Sequence, residues 1–193
     1  MARAVLPLYL LPPISWWAIV VQHNAVMLDI GERWVKQSHR NRFEIAGPNG
    51  VQKLSVPTIK ATRTCLRDVA INYAEPWQKL HWRSLEAAYN RSPFFEFYKD
   101  ELQVIFFTKY HHLAELGLAL VHWCANKLQV STTFEVSNAY VELDEKELDY
   151  RMEIPEHTPV EYYQVFTDKH RFIPNLSILD ALFNCGPEAP SYL

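Results

Sequence analysis

The fold of this protein is decided by residues 4–21, AVLPLYLLPPISWWAIVV. Residues 4–11 are almost wholly apolar, which predicts a buried strand, and Pro12-Pro13 ends it. We expect Ser15 to cap a short helix that reaches Gln22. A strand followed by a helix suits a Rossmann-like sheet, in which the helix N-terminus faces a ligand crevice. The glycine-rich dinucleotide fingerprint is missing, because residues 11–17 read LPPISWW.

The same stretch is apolar enough to suggest an export signal or a membrane span, but its prolines argue against both. Pro7, Pro12 and Pro13 interrupt it, and no small-residue cleavage site precedes Gln22. The three cysteines, Cys65, Cys124 and Cys185, show no pairing pattern. We therefore predict a cytoplasmic protein without a membrane span.

Strands and helices alternate along the rest of the chain. Residues 25–30 and 132–137 read as strands, and residues 42–46 and 51–56 as a hairpin around a four-residue loop. Helical spacing predicts helices over residues 77–90, 113–128 and 178–183. Residues 94–107 also favour a helix, although the β-branched and aromatic residues at the end of this range are compatible with a strand. The alternation predicts an α/β or α+β fold, a Rossmann-like sheet with an added β-hairpin and flanking helices.

Composition fits one domain covering residues 1–193. The chain is 49% hydrophobic, so it has enough apolar side chains for a full core, and disorder and disulfide scaffolds are excluded. Its aromatic content is 13%, with 6 Trp, 10 Tyr and 10 Phe. Either core packing or a ligand platform would explain that content.

Charge is divided along the chain. Residues 33–67 hold eight basic residues and one acid, for a net +7, whereas residues 135–168 hold ten acids and two bases, for a net -8. A pI near 6.2 argues against a nucleic-acid surface, so we predict no nucleic-acid partner. A compact anion pocket fits the basic segment. Mutual compensation of the two segments, or two solvated faces, explains the pattern equally well.

The densest polar run is KQSHRNR, residues 36–42, which precedes the predicted hairpin. Two guanidiniums and a lysine can grip a phosphate or carboxylate, and Asn and Gln can contact a sugar or a base. An exposed basic loop is the alternative.

His81 is a second candidate, because it lies on the apolar face of the predicted helix between Trp77 and Leu85. A half-buried histidine can act as a general base, but it is more often a hydrogen-bonded core residue. His111 and His112 lack a third ligand at metal-binding spacing, so we predict no metal site. The sequence does not identify a cofactor.

Five blocks, in order, resemble the WbqC-like family over residues 8–187. They are KQSHRNR (36–42), Gly50 with LSVP (54–57), WQKLHW (77–82), Ala88-Tyr89 with SPFF (92–95), and FIPNLSILD (172–180) with LFNCGPE (182–188). The chain departs from the family at its opening, residues 8–17. It also has a short acidic stretch, residues 138–158, where longer relatives carry an extra sheet segment. We expect that variable stretch to be an irregular loop or insertion.

The resemblance implies a cytoplasmic transferase that acts on a nucleotide-activated sugar, by acyl or aminoacyl (glycyl) transfer, in bacterial lipopolysaccharide O-antigen biosynthesis. In that interpretation Lys36, Arg40 and Arg42 neutralise phosphates, and Gln37 and Asn41 orient the sugar.

In the same interpretation His81 removes a proton from the attacking amine. Three rings that stack on the substrate surround it, Trp77, Trp82 and Tyr89. Asn175 and Asp180 also match by position. A non-catalytic ligand-binding or assembly module of a polysaccharide complex is the alternative.

Overall fold

The computed structural model describes residues 3–60, 64–144, 147–158 and 160–193. Its strands are β1 (Arg3–Pro7), β2 (Ala25–Asp29), β3 (Arg42–Gly47), β4 (Gly50–Ser55), β5 (Thr133–Ser137) and β6 (Glu147–Asp149). Its α-helices are α1 (Ile14–Val20), α2 (Trp77–Tyr89), α3 (Phe95–Phe107), α4 (Leu113–Lys127), α5 (Thr167–His170) and α6 (Ile178–Cys185). Short 3-10 helices cover Leu66–Asp68 and Gly186–Tyr192.

A four-stranded parallel sheet organises the molecule, in the order β5-β2-β1-β6. The two inner strands are short and apolar, as the central strands of a parallel sheet must be when both faces are covered. The chain leaves β1 toward β2 on one side and returns to β6 on its other side, so the strand order reverses between β1 and β6. The predicted α/β fold with an added hairpin is confirmed.

Helix α1 begins one residue earlier than its predicted cap. Pro13 occupies the N-cap position, and Ser15 lies inside the first turn without acting as a cap. The Ser15 backbone N–H instead donates to Oδ1 of Asn175, at 2.9 Å. The predicted Ser15 cap is therefore wrong, because a side chain 160 residues away satisfies this N–H group.

The antiparallel hairpin of β3 and β4 packs against α2. Its register pairs Phe43 with Leu54 and Gly47 with Gly50, so the connection has two residues, Pro48 and Asn49, instead of the four predicted. Phe43 and Leu54 are buried on the side of the hairpin that faces the core.

The acidic stretch 138–158 is not irregular throughout. It contains β6, which pairs in parallel with β1 and forms one edge of the sheet. With only three residues, Glu147–Asp149, β6 is too short for its alternation of charged and apolar residues to predict a strand. Residues 94–107, whose end is compatible with either a helix or a strand on sequence alone, contain helix α3, which continues to Phe107.

Aromatic side chains fill much of the core. Trp16, Trp17, Tyr89, Phe43 and Phe95 are among the largest fully buried side chains. Among the described residues, no helix combines the length and the apolar character that a membrane span requires.

Candidate functional site

A cavity of about 320 Å³ opens at the carboxyl edge of the parallel sheet. Residues that follow or end β2, β5 and β6 line it, together with Arg40 from the turn before β3: Glu32, Arg33, Val35, Arg40, Tyr140, Asp149, Arg151 and Met152. We name it the strand-edge crevice. Ligands of open α/β sheets bind at this edge, where the strand order reverses, and its volume is within the usual range for small-molecule sites.

A buried ion pair forms the floor of the strand-edge crevice. Arg40 donates from Nε to Oε1 of Glu32 at 2.7 Å and from Nη2 to Oε2 at 2.5 Å, which is a bidentate contact. The Arg40 side chain is 7% exposed and that of Glu32 6%. Burial raises the pKa of Glu32, and the Arg40 guanidinium opposes that rise. Arg40 therefore binds Glu32 in this structure, and would have to exchange that partner for a ligand anion.

Arg151 joins the ends of two strands. It donates from Nε and Nη2 to the two carboxylate oxygens of Asp149, each at 2.9 Å, and from Nη1 to Oδ2 of Asp29 at 2.6 Å. The Asp149 hydrogen bonds raise the pKa of Arg151, and the guanidinium lowers the pKa of Asp149. Arg151 also donates to the Val141 carbonyl at 2.8 Å. One guanidinium thus fixes the termini of β2 and β6 and the segment after β5.

Aromatic rings cover both guanidiniums. Cζ of Arg151 lies 4.3 Å from the ring centroid of Tyr140, and Cζ of Arg40 lies 5.7 Å from that of Tyr9. Both distances are within the range of cation–π attraction. The His39 ring lies 5.3 Å from the Tyr9 ring, and burial lowers the pKa of His39. The Tyr9 contact brings the residues after β1 into the same edge cluster.

Gly31 allows the segment after β5 to approach the end of β2. A Cβ atom at this position would lie 2.2 Å from the backbone carbon of Ala139 and 2.3 Å from the backbone nitrogen of Tyr140. Those separations are far below van der Waals contact, so only glycine fits. The close approach places Tyr140 over Arg151 and lets the Val141 N–H donate to Asp29 at 3.1 Å.

Arg33 also lines the strand-edge crevice. Its side chain is exposed, and within residues 3–60, 64–144, 147–158 and 160–193 it has no hydrogen-bond or ion-pair partner. A ligand anion in the crevice would therefore bind Arg33 without breaking an existing ion pair. Nearby, Lys36 and Gln37 are exposed on the turn that follows Val35.

The predicted polar run 36–42 is divided between two places. Arg40 lines the strand-edge crevice and Lys36 and Gln37 are exposed on the same turn, whereas Asn41 and Arg42 are bound to the hairpin. Asn41 donates to the Val56 carbonyl at 3.0 Å, and Nε of Arg42 donates to Oγ of Ser55 at 3.0 Å. The sugar-orienting and phosphate-binding roles of Asn41 and Arg42 stay predictions.

His81 lies between α2 and the hairpin, with 6% of its surface exposed. Its ring makes edge contacts with Phe43 and Trp77, with centroids 5.8 and 5.2 Å away. Burial lowers the pKa of His81 to about 4, and a hydrogen bond with the Ser55 backbone opposes the shift. Nδ1 has no hydrogen-bond partner among the described residues. His81 is thus neutral at pH 7, and it does not line the strand-edge crevice.

The three predicted stacking rings are in the core. Trp77 is 3% exposed, Trp82 5% and Tyr89 0%. Trp82 packs against Phe95, Phe106 and Phe107. The Tyr89 hydroxyl donates to Oδ1 of Asp180 at 2.8 Å. Stacking of a ligand on these rings would require them to leave the core, so their substrate contact stays a prediction.

Sequence reasoning missed most of the crevice lining, namely Glu32, Tyr140, Asp149 and Arg151, and also Asp29, which Arg151 binds. It included Arg33 only as one cation of the basic segment 33–67. One signal was present: Asp29 ends an apolar strand, and carboxylates at the carboxyl ends of parallel strands meet at one edge. Arg151 was recognisable as one of two bases in the acidic stretch, but its position depends on the short strand β6. Within the described residues, no group of three or more His, Cys, Asp or Glu side chains is placed to hold a metal ion.

Comparisons with known proteins give a family match. The model of the WbqC-like protein family matches residues 9–164 and 150–192. The uncharacterized protein Rv1507c of Mycobacterium tuberculosis (strain ATCC 25618 / H37Rv) is 28% identical over 194 residues, which cover 83% of this chain and 84% of that protein. No solved structure matches the chain.

Proposed function

Because the chain belongs to the WbqC-like protein family, we propose that it is a transferase that binds a nucleotide-activated sugar in the strand-edge crevice. The transferred group is an acyl or aminoacyl group, and the biological setting is surface-polysaccharide (O-antigen) synthesis in the cytoplasm. The observation that carries the proposal is the crevice itself, a small-molecule-sized cavity at the carboxyl edge of a parallel sheet, lined by the exposed Arg33.

Phosphate binding is assigned to the exposed cations at the crevice. Arg33 lines the cavity, and Lys36 stands on the adjoining turn. A guanidinium can donate two parallel hydrogen bonds to a phosphate, each worth about 1.5–3 kcal/mol. Arg40 and Arg151 hold the shape of the site through Glu32, Asp149 and Asp29, so their main contribution is to keep the crevice preorganised.

The sugar occupies the part of the crevice beside Tyr140 and Met152. An exposed methionine and an aromatic ring offer apolar surface to a sugar ring, and the Asp149 carboxylate, 27% exposed, can accept hydrogen bonds from sugar hydroxyls. Acyl transfer to a sugar amine requires a group that takes the proton of the attacking nitrogen. His81 is in the proton-accepting form at pH 7, but its low pKa makes it a weak base and its burial keeps it from the crevice.

A thermal-shift panel tests the proposal with UDP-N-acetylglucosamine, dTDP-glucose, GDP-mannose and UDP. A ligand present at ten times its Kd stabilises the folded state by about 1.4 kcal/mol, or about 3–6 °C for a chain of this length. We expect Arg33→Ala to lose most of the shift. Arg83→Ala, which changes an exposed arginine of α2 outside the crevice, is the matched control and should keep it. No shift with any of these compounds would refute nucleotide-sugar binding.

A ligand-binding module without catalysis is the second candidate. It is favoured by the lining of the crevice, in which both buried arginines and the carboxylates that they bind are already paired. Incubation of a stabilising nucleotide-sugar with acyl and aminoacyl donors, followed by mass spectrometry, separates the two. Binding without a mass increase under turnover conditions would support the module, and a modified sugar would support the transferase.

A further inference from the structure

A second cavity, of about 410 Å³, lies at the carboxyl end of α6, and we name it the α6 cavity. Its lining is Phe94, Tyr163, Asn184, Cys185, Pro187, Glu188 and Tyr192. Four of these residues belong to the block LFNCGPE, to which the proposed function assigns no role. None of them lines the strand-edge crevice, so the two cavities are separate.

Aromatic walls of the α6 cavity are held by the fold. Phe94 packs on Gly186, where an added Cβ would lie 2.4 Å from the Phe94 ring, and the Phe94 N–H donates to the Phe183 carbonyl at 3.0 Å. Gly186 also has a φ of +57°, which disfavours other residues. On another wall, the Tyr192 ring lies 5.2 Å from that of Tyr162. The walls are therefore preorganised without a ligand.

Two groups of the α6 cavity, the Asn184 amide oxygen and the Glu188 carboxylate, are free hydrogen-bond acceptors within the part of the chain that the structure describes. Asn184 donates from Nδ2 to the Asp180 carbonyl at 2.8 Å, which fixes its amide, and its Oδ1 has no partner among the described residues. Asn184 is 7% exposed, so this orphan oxygen has little access to water. Glu188 adds an exposed carboxylate. An unpaired buried acceptor is costly, and a ligand that donates hydrogen bonds would remove the cost.

Glu188 supplies the negative charge of the α6 cavity. Asp180 is fully buried and accepts hydrogen bonds from Tyr89, Tyr162 and Gln164, each at 2.8 Å, and burial raises its pKa. Neither Asp180 nor Glu188 has a basic partner, and no basic side chain lines the cavity, within the part of the chain that the structure describes. Burial, together with these two carboxylates, raises the pKa of the Cys185 thiol to about 12. The thiol therefore stays protonated and is no nucleophile.

We infer that the α6 cavity binds an organic ammonium ion, a primary or secondary amine carried on a small apolar or sugar-like ring. Aromatic faces attract a cation and pack on its ring, while Glu188 and the Asn184 amide oxygen accept its N–H groups. The Glu188 carboxylate, which lines the cavity, favours the cation and repels anions. This inference does not depend on the proposed function, because the two sites share no lining residue.

Three probes with the same ring but a positive, neutral or negative substituent test the inference: cyclohexylammonium, cyclohexanol and cyclohexanecarboxylate. The dissociation constants are measured by NMR titration, following the Asn184 side-chain amide and the Gly186 backbone amide. We expect cyclohexylammonium to bind at least tenfold more tightly than cyclohexanol, and cyclohexanecarboxylate to give no saturable shift.

Glu188→Gln keeps the size of an exposed side chain and removes its charge, so the fold is not at risk. It should raise the Kd of cyclohexylammonium about five- to tenfold and leave that of cyclohexanol unchanged. The control Glu75→Gln removes an exposed carboxylate that does not line the cavity and should change neither. Equal affinity for the ammonium and the alcohol, or an unchanged ammonium affinity in Glu188→Gln, would overturn the inference, as would the absence of saturable shifts with all three probes.

Discussion

The strand-edge crevice and the layer between α2 and the hairpin both bury titratable groups, but they do so in opposite ways. The crevice pairs each buried guanidinium with a carboxylate and leaves an opening lined by Arg33. The α2 layer surrounds His81 with aromatic rings and keeps it neutral at pH 7, and no charged side chain among the described residues pairs with it. The His81 motif, which stands out in the sequence, therefore lies in the closed region. The region with room for a ligand is formed by residues that are distant from one another in sequence.

Arg151→Met is the largest perturbation of the crevice. It leaves Asp29, which is fully buried, without its guanidinium, and loss of one partner of a buried pair costs about 3–5 kcal/mol. Urea denaturation at pH 7 measures the free energy of unfolding. Addition of Asp29→Asn should recover part of the loss, because the unpaired charge is then removed. A cost below about 1 kcal/mol for the single variant would show that the ion pair does not organise the strand ends.

His81 sets the expected acid sensitivity of the α2 layer. Its pKa is about 4 in the folded state and 6.5 when exposed, so the unfolded state binds the proton between these values. Stability contributed by the neutral imidazole is therefore present above pH 6.5 and is lost as pH falls toward 4, by up to about 3 kcal/mol. His81→Gln should lose less stability than the wild-type protein over this interval, as measured by urea denaturation at pH 7, 5.5 and 4.5. Parallel pH profiles would indicate that His81 is accessible to protons in the folded state.

Gly31→Ala tests the close approach that shapes the crevice. The new Cβ would lie 2.2 Å from the Ala139 backbone, so the segment carrying Tyr140 must move, at a cost of about 1–3 kcal/mol. The movement should also weaken any nucleotide-sugar shift, whereas His81→Gln should leave that shift unchanged. Gly47→Ala is a matched control, because its Cβ would meet its nearest neighbour at 3.4 Å. Equal stability of both variants with the wild-type protein would mean that the segment after β5 adapts freely.

Most of the fold followed from periodicity, whereas the site did not. Apolar runs and helical spacing located β1, β2, the hairpin and the long helices, because those patterns are local. The crevice depends on which strands become neighbours in the sheet, and β6 is too short to be predicted from the sequence. His81 stands out in the sequence because aromatic residues flank it, but aromatic residues also bury its side chain in the structure. Arg40 is predicted from the sequence to neutralise a phosphate, and only the structure shows that it binds Glu32.

Asn175 joins the last family block to the first helix, and its loss should have the smallest effect of the four. Its side chain accepts the Ser15 N–H at the start of α1, which is the function of an N-cap supplied from 160 residues away. Removal of a capping acceptor costs about 1 kcal/mol. Asn175 has a φ of +56°, so Asn175→Ala would add backbone strain, and Asn175→Gly separates the two effects by removing only the acceptor. We expect Asn175→Gly to lower the free energy of unfolding by about 1 kcal/mol and Asn175→Ala by more. If the glycine variant matches the wild-type protein while the alanine variant is destabilised, the backbone conformation matters at this position and the remote cap does not.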